Sequence, residues 1–179
     1  MNSHDVYSFW FDEIAPAQWW VKNKDFDAII ETRFLALHEQ ANKGELYAWR
    51  STAKGRLAEI IVLDQFSRNI FRDTPASFSS DPLALVLAQE AISQGEHLKL
   101  NAIERSFLYM PFMHSESLNI HDIAVTLYQD NGIQSNTDFE IKHRDIIEKF
   151  GRYPHRNDIL NRVSTKAEIA FLKQPGSSF

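Results

Sequence analysis

The stretch TAKGRLAEIIVLDQFSRNIF, residues 52–71, constrains the fold more than any other part of the chain. Leu57, Ile60, Ile61, Leu63 and Phe66 recur at helical spacing, yet they cover more than one face, which predicts a helix buried on most sides. Such a helix needs neighbours wrapped around it, so 52–71 is expected at the centre of the fold.

The rest of the chain offers helical neighbours. Val6, Phe9 and Trp10 mark one face of a segment over 5–13 that stops before Pro16. Phe26, Ile29, Ile30, Phe34, Leu37 and Ala41 mark an amphipathic helix over 25–42 that ends near Gly44. Asp81-Pro82 reads as an N-cap followed by proline at the first helical position, opening a helix over 83–93 that Gly95 stops. Asn101 with Glu104 forms a capping-box pattern for 101–115, where Pro111, lacking an N–H, should bend or end the helix. Further helices are expected over 117–130, over 137–150 ending at Gly151, and over 165–173, where Thr165 and Glu168 repeat the capping box. The tail PGSSF is expected as a surface terminus. Strand alternation bounded by turn signals is absent, and the short connections favour antiparallel helical hairpins in an all-α fold. No 34-residue internal repeat emerges when the helices are laid over one another.

At 179 residues and 44% apolar composition, the chain fits one domain over 1–179 with a sizeable core. No run of about 18 apolar residues occurs, so no membrane span is expected. The opening MNSHDVYSFWFDEIAPAQWW lacks the basic start and smooth apolar stretch of a secretory signal. Without cysteine there is no disulfide, no redox pair and no thiolate metal site, and a cytoplasmic location follows as an expectation. The net charge of −5 argues against a nucleic-acid partner, although 142–166 holds seven Lys or Arg against three acids.

Three polar groupings could carry chemistry. In LDQFSRNIFR, Asp64, Gln65, Arg68, Asn69 and Arg72 line one side of the most apolar helix. Burying Asp and Arg is costly unless they are paired, so they form either an Asp64–Arg68 ion pair tying helices together or the polar floor of a pocket. In FLYMPFMHSES, His114 and Glu116 follow Pro111, where a bent helix could turn them toward a cleft; a hydrogen-bonded structural histidine is the plainer alternative. In HRDIIEKFGRYPHRN, His143, Arg144, Arg152, His155, Arg156 and Asn157 gather around one helix end and the next segment. Arginine grips carboxylate or phosphate with two parallel donors, which suits an anion site; alternatively these side chains cap the carbonyls of the preceding helix.

Metal ligation by His114, Glu116, His121, Asp122 or His143 has little support, since HExxH is absent and His4-Asp5 and His121-Asp122 lack companion ligands. Nucleotide-binding glycine motifs and the GxSxG nucleophile elbow are also absent, so no metal or cofactor is expected. Phe9, Trp10, Phe11, Trp19 and Trp20 are expected to pack the core rather than form a binding surface.

The motifs FWFDE, GRLAEIIVLDQFSRNIFRDTP, DPLAL, ERSFLYMPFMHSE, HRDIIEKFGRYPHRNDILNR and the closing PGSSF, spread almost end to end, resemble the bacterial family called domain of unknown function 924. Ser67 and Tyr153 depart from residues common in those motifs without weakening the match. The resemblance implies an all-helical fold similar to tetratricopeptide-type right-handed hairpin arrays, and it carries no catalytic residues with it. The leading functional expectation is a helical binding protein whose three groupings converge on a small anionic ligand or a peptide carboxylate. Two alternatives stay open: a hydrolase using His114 or His143 with Glu116 or Asp64, and a protein-protein interaction scaffold with an apolar groove.

Overall fold

The computed structural model describes residues 1–177 and is all-helical over them. The helices are α1 (Ser3–Ser8), α2 (Lys24–Asn42), α3 (Ala53–Ile61), α4 (Ser67–Ile70), α5 (Asp81–Ser93), α6 (Ala102–Met113), α7 (Leu118–Asn131), α8 (Gln134–Phe150) and α9 (Lys166–Leu172). Short 3₁₀ turns fill most connections. No helix among the described residues is long and apolar enough to cross a membrane.

The central rod begins with α3, passes through a wider π-helical turn over Val62–Phe66 and continues as α4. Leu57, Ala58 and every residue from Ile60 to Asp64 are fully buried, as are Phe66 and Ser67. Thr52 caps the rod by accepting from the Gly55 N–H, and the chain folds back so tightly there that a Cβ on Gly55 would lie 2.0 Å from the Trp49 carbonyl oxygen. Only glycine fits at that position. Around the rod, α1 lies on α3, α2 lies on the π turn and α4, and α5 and α6 cover α3. Helices α6, α7 and α8 then stack as successive neighbours.

Aromatic side chains seal one flank of the rod around Phe66. Phe34 and Phe66 meet at 4.7 Å between ring centroids, and Trp10 stands edge-on to Phe66 and Phe107 at 5.7 Å each. Phe9 and Trp10 are core residues, whereas Trp20 is 63% exposed and only its ring face covers Phe107. A smaller apolar cluster of Ile146, Ile147 and Tyr153 holds the C-terminal segment against α7 and α8.

Three sequence expectations need adjustment. Ser80, not Asp81, is the N-cap of α5, which leaves the Asp81 carboxylate available for a distant partner. Pro111 does not end α6, which runs on to Met113; close to a helix C-terminus the missing N–H removes one of the last bonds the helix would make. Helix α8 starts at Gln134, three residues earlier than the pattern over 137–150 implied. Of the closing PGSSF, Ser177 is buried with its hydroxyl donating to the Leu172 carbonyl, and Ser178 and Phe179 lie outside the described residues.

Candidate functional site

A helix leaves its last carbonyls without intrahelical partners, and the carbonyl of Met113, with those of His114 and Ser115 just beyond α6, is taken up by side chains from further along the chain. The Tyr153 hydroxyl donates to Met113 O at 2.5 Å, an Arg156 Nη2 hydrogen to His114 O at 3.0 Å, and His121 Nε2 to Ser115 O at 2.8 Å. Cationic donors at a helix C-terminus also complement its partial negative charge. This capping brings the segment after Gly151 against the end of α6, and a cavity of 460 Å³ remains between them and the start of α5.

The cavity has an apolar wall and a polar end. Pro75, Phe78, Pro82, Leu85, Pro111 and Leu160 form the wall. Asp81, His114, Ser115, Glu116 and Arg156 supply the polar end.

His114 and Asp64 are coupled at that end. The Nδ1 of His114 lies 2.7 Å from Asp64 Oδ1, and among the described residues nothing hydrogen-bonds its Nε2, which is not shut off from solvent either. Asp64 sits in the π turn, fully buried, with Gln65 Nε2 at 2.6 Å and Arg68 Nη1 at 3.4 Å. Burial alone would raise its pKa, but Arg68 and His114 outweigh that and hold the carboxyl well below the ordinary range. Asp64 is therefore a carboxylate at neutral pH. Burial, joined by the nearby Arg68 cation, pushes the His114 pKa down against the pull of Asp64, so the imidazole is neutral at pH 7.

Two arginines share Asp81. Arg68 grips it with both terminal nitrogens, at 2.8 and 2.9 Å, while Arg156 Nη1 stands off at 3.6 Å from Oδ2. Arg156 is 6% exposed, sandwiched between the rings of Phe78 at 4.6 Å and Tyr153 at 4.5 Å, and its Nε is buried without a partner among the described residues. Burial and the neighbouring Arg68 lower its pKa. Glu116 accepts from Arg162 at 2.7 and 2.9 Å and from the Tyr153 N–H at 2.8 Å; burial works against its ionised form, but these donors prevail and lower its pKa.

The residues singled out from the sequence divide between this site and elsewhere. His114, Glu116 and Arg156 line the cavity, and Asp64, Gln65 and Arg68 stand directly behind it. Asn69 and Arg72 turn to the opposite side, where both bind Asp27 of α2: Asn69 Nδ2 at 2.8 Å, Arg72 Nε at 2.5 Å and Nη2 at 2.7 Å. Helical spacing failed for Arg72 because the rod ends at Ile70 and Phe71 leaves the helical region. Arg152 pairs with Glu168 at 2.7 and 2.9 Å and donates to Val163 O, closing the C-terminal loop. His143 donates from Nδ1 to Phe139 O within α8, and burial lowers its pKa to about 3. His155 lies against the Tyr153 ring with its pKa lowered to about 4, first by burial and then by Arg156. Asn157 binds the Ser164 hydroxyl at 3.1 Å. None of Asn69, Arg72, Arg152, His143, His155 and Asn157 lines the cavity.

Sequence reasoning missed Asp81 as a counter-ion, Tyr153 as a cap, and the apolar wall from Phe78 to Leu85. Asp81 falls within a local capping motif, Tyr153 caps a carbonyl 40 positions away and Arg156 meets Phe78 across nearly twice that separation, which no local pattern encodes.

An all-helical protein with a half-polar cavity at the end of one helix is thus the class that fold and site define. The chain belongs to the family described as bacterial protein of unknown function (DUF924), whose profile matches residues 6–176. It is similar to a solved structure described as a protein of unknown function, ATU0120, from Agrobacterium tumefaciens: identity is 37%, each chain is covered to 96%, and the TM-score is 0.91. No curated protein matches the chain.

Proposed function

We propose that the cavity at the end of α6 binds a small organic ligand through a carboxylate, or the carboxylate of a short peptide, with Arg156 as the anchor. The observation that supports this reading is the state of Arg156: a buried guanidinium on the cavity wall, tied by Nη2 to His114 O at 3.0 Å, held loosely by Asp81 at 3.6 Å and with its Nε unpaired among the described residues. A fork of N–H donors in that condition gains from an incoming carboxylate, because a buried donor without an acceptor is costly. The apolar wall supplies the surface for the ligand's body, in the proportions common to small-molecule pockets. An interaction scaffold would call for an apolar groove without convergent charges, and the polar end favours the ligand reading.

The same reading treats α5–α6 and α7–α8 as hairpins of a tetratricopeptide-like right-handed array, supported by the contacts of α5 with α6, α6 with α7 and α7 with α8. The cavity would then open at the turn between two hairpins.

A thermal-shift series with acetate, benzoate, succinate, phosphate and sulfate tests the binding reading. A ligand at 100 times its Kd stabilises the folded state by about 2.7 kcal/mol, a shift of several degrees for a chain of this size. The shift is expected for carboxylates in the wild type and is expected to be lost in Arg156→Gln. No shift with any anion would remove the reading.

A further inference from the structure

We propose that His114 is the general base of a hydrolytic site, which activates water against a small carboxylic ester lodged with its acyl group beside Arg156. This rests on the cavity being the carboxylate site described above, the bound carboxylate then being the product of the reaction.

Three geometric facts carry the proposal. First, Nδ1 of His114 is committed to Asp64, which fixes the tautomer with the proton on Nδ1 and leaves the Nε2 lone pair as the free base. Second, Asp64 is itself immobilised, by Gln65 at 2.6 Å and Arg68 at 3.4 Å, in the rod's π turn. A π turn inserted into a buried helix is an irregularity often kept at functional positions. Third, His114 lines the cavity and its own carbonyl binds Arg156 at 3.0 Å, so base and guanidinium belong to one wall. A histidine serving only to tie helices together would use both ring nitrogens inward, as His121 does with Glu140 and Ser115.

The chemistry balances with water as the co-reactant. Nε2 takes one proton from water while the water oxygen bonds to the ester carbonyl carbon. The carbonyl π electrons move to its oxygen, and the oxyanion develops next to the Arg156 guanidinium. When the C=O re-forms, the bond to the alkoxy oxygen breaks and the proton on Nε2 passes to that oxygen, giving an acid and an alcohol and restoring neutral imidazole. The groups around the ring are Asp64 and Arg68 from the rod, Asp81 from α5, His143 from α8, and His155 and Arg156 from the C-terminal segment. Asp64 is a positioning residue here and touches no substrate.

The test uses the full chain and 4-nitrophenyl acetate, butyrate and benzoate, with His114→Asn as the comparator. Asparagine keeps an N–H directed at Asp64 and removes the Nε2 base. Wild type is expected to hydrolyse at least one ester with saturation, and His114→Asn to lose roughly 10²- to 10⁴-fold in kcat/KM while its carboxylate thermal shift persists. The wild-type rate is expected to rise with pH through one ionisation lying below that of an ordinary histidine, a feature a purely structural histidine would not produce. Asp64→Asn, which favours the wrong tautomer, is expected to cut kcat more than it changes KM. Equal rates for wild type and His114→Asn on all three esters overturn the proposal. If a carboxylate still shifts the wild-type melting temperature, binding survives without catalysis; if not, both readings fall together.

Discussion

Two histidines in this protein each place Nδ1 against a buried carboxylate, and they differ in everything else. His114 meets Asp64 at 2.7 Å and His121 meets Glu140 at 2.6 Å. Asp64 has a cation at 3.4 Å and an amide behind it, whereas Glu140 feels only the more distant charge of Arg144, and its second oxygen is buried without a partner among the described residues. The far nitrogen of His121 is bonded to Ser115 O and approaches the Tyr153 hydroxyl at 3.2 Å, while that of His114, a residue of the cavity lining, has no partner among the described residues. The pair with a braced carboxylate and an open nitrogen is the one to which our proposal assigns proton transfer. The pair sealed on both sides is built to lock α7, α8 and the α6 turn together.

Truncating each carboxylate should separate the two most sharply. Asp64→Ala leaves Arg68 its paired contact with Asp81 but strips His114 Nδ1 and Gln65 Nε2 of their buried acceptor, and each buried donor left without a partner costs about 1–3 kcal/mol. Glu140→Gln can retain a hydrogen bond to His121 while removing a buried charge that Arg144 offsets only in part, so its expected cost is under about 1 kcal/mol. Urea denaturation of both variants at pH 7 measures the difference. Equal costs would mean that the two pairs are energetically alike.

The pH dependence should run in opposite directions. Burial raises the Glu140 pKa despite His121, so its contribution is fully present below the unfolded value near 4.5 and is lost as pH rises through the folded value. Asp64 is shifted down, so its contribution is present above 3.8 and is lost as pH falls through the folded value. Glu140→Gln should therefore gain relative to wild type between pH 4 and 7, and Asp64→Asn should lose less relative to wild type as pH drops below 4. A folded and an unfolded pKa that differ by one correspond to about 1.4 kcal/mol of stability. Denaturant midpoints across that range check both signs, and parallel curves would contradict the contrast.

His143 and His155, with folded pKa values of about 3 and about 4, add a background slope. The unfolded chain protonates both near 6.5 while the folded chain does not, so wild-type stability is expected to decline from pH 7 toward pH 4. Each of these histidines contributes up to about 1.4 kcal/mol per pH unit, and His143→Asn should flatten the slope by about one histidine's share.

How much of the contrast was visible in the sequence follows from the range of the forces involved. The rod over 52–71, the capping boxes at Asn101 and Thr165 and the stop at Gly151 rest on local hydrogen bonds and periodicity, and they appear where expected. His114 and Asp64 were each legible as polar groups in apolar surroundings, yet their meeting across 50 residues was not. His121 and Glu140 gave no signal as a pair, because a 19-residue separation carries no helical periodicity and each falls on an otherwise ordinary amphipathic helix. Arg152 and Arg156, four residues apart, looked equivalent. Only the fold separates Arg152, satisfied by Glu168, from Arg156, lodged between two rings beside the cavity.

The smallest effect is expected at the part-buried Arg72–Asp27 pair, where the carboxylate keeps a second donor in Asn69. Arg72 and Asp27 make two short hydrogen bonds, but the arginine side chain is 25% exposed and the ordering of a long side chain offsets much of the Coulomb gain. Arg72→Ala should cost no more than about 1 kcal/mol, half-screened in 1 M salt, and should leave both histidine pairs undisturbed because Asp27 lies on α2, across the rod from α6. Asp27 has Asn69 as a second donor, which limits the penalty further. Denaturation of Arg72→Ala at low and high salt, read beside the Asp64 and Glu140 variants, places the Arg72–Asp27 pair at the bottom of the series. A cost approaching that of Asp64→Ala would show that the rod depends on its outer strap as much as on the carboxylate behind the cavity.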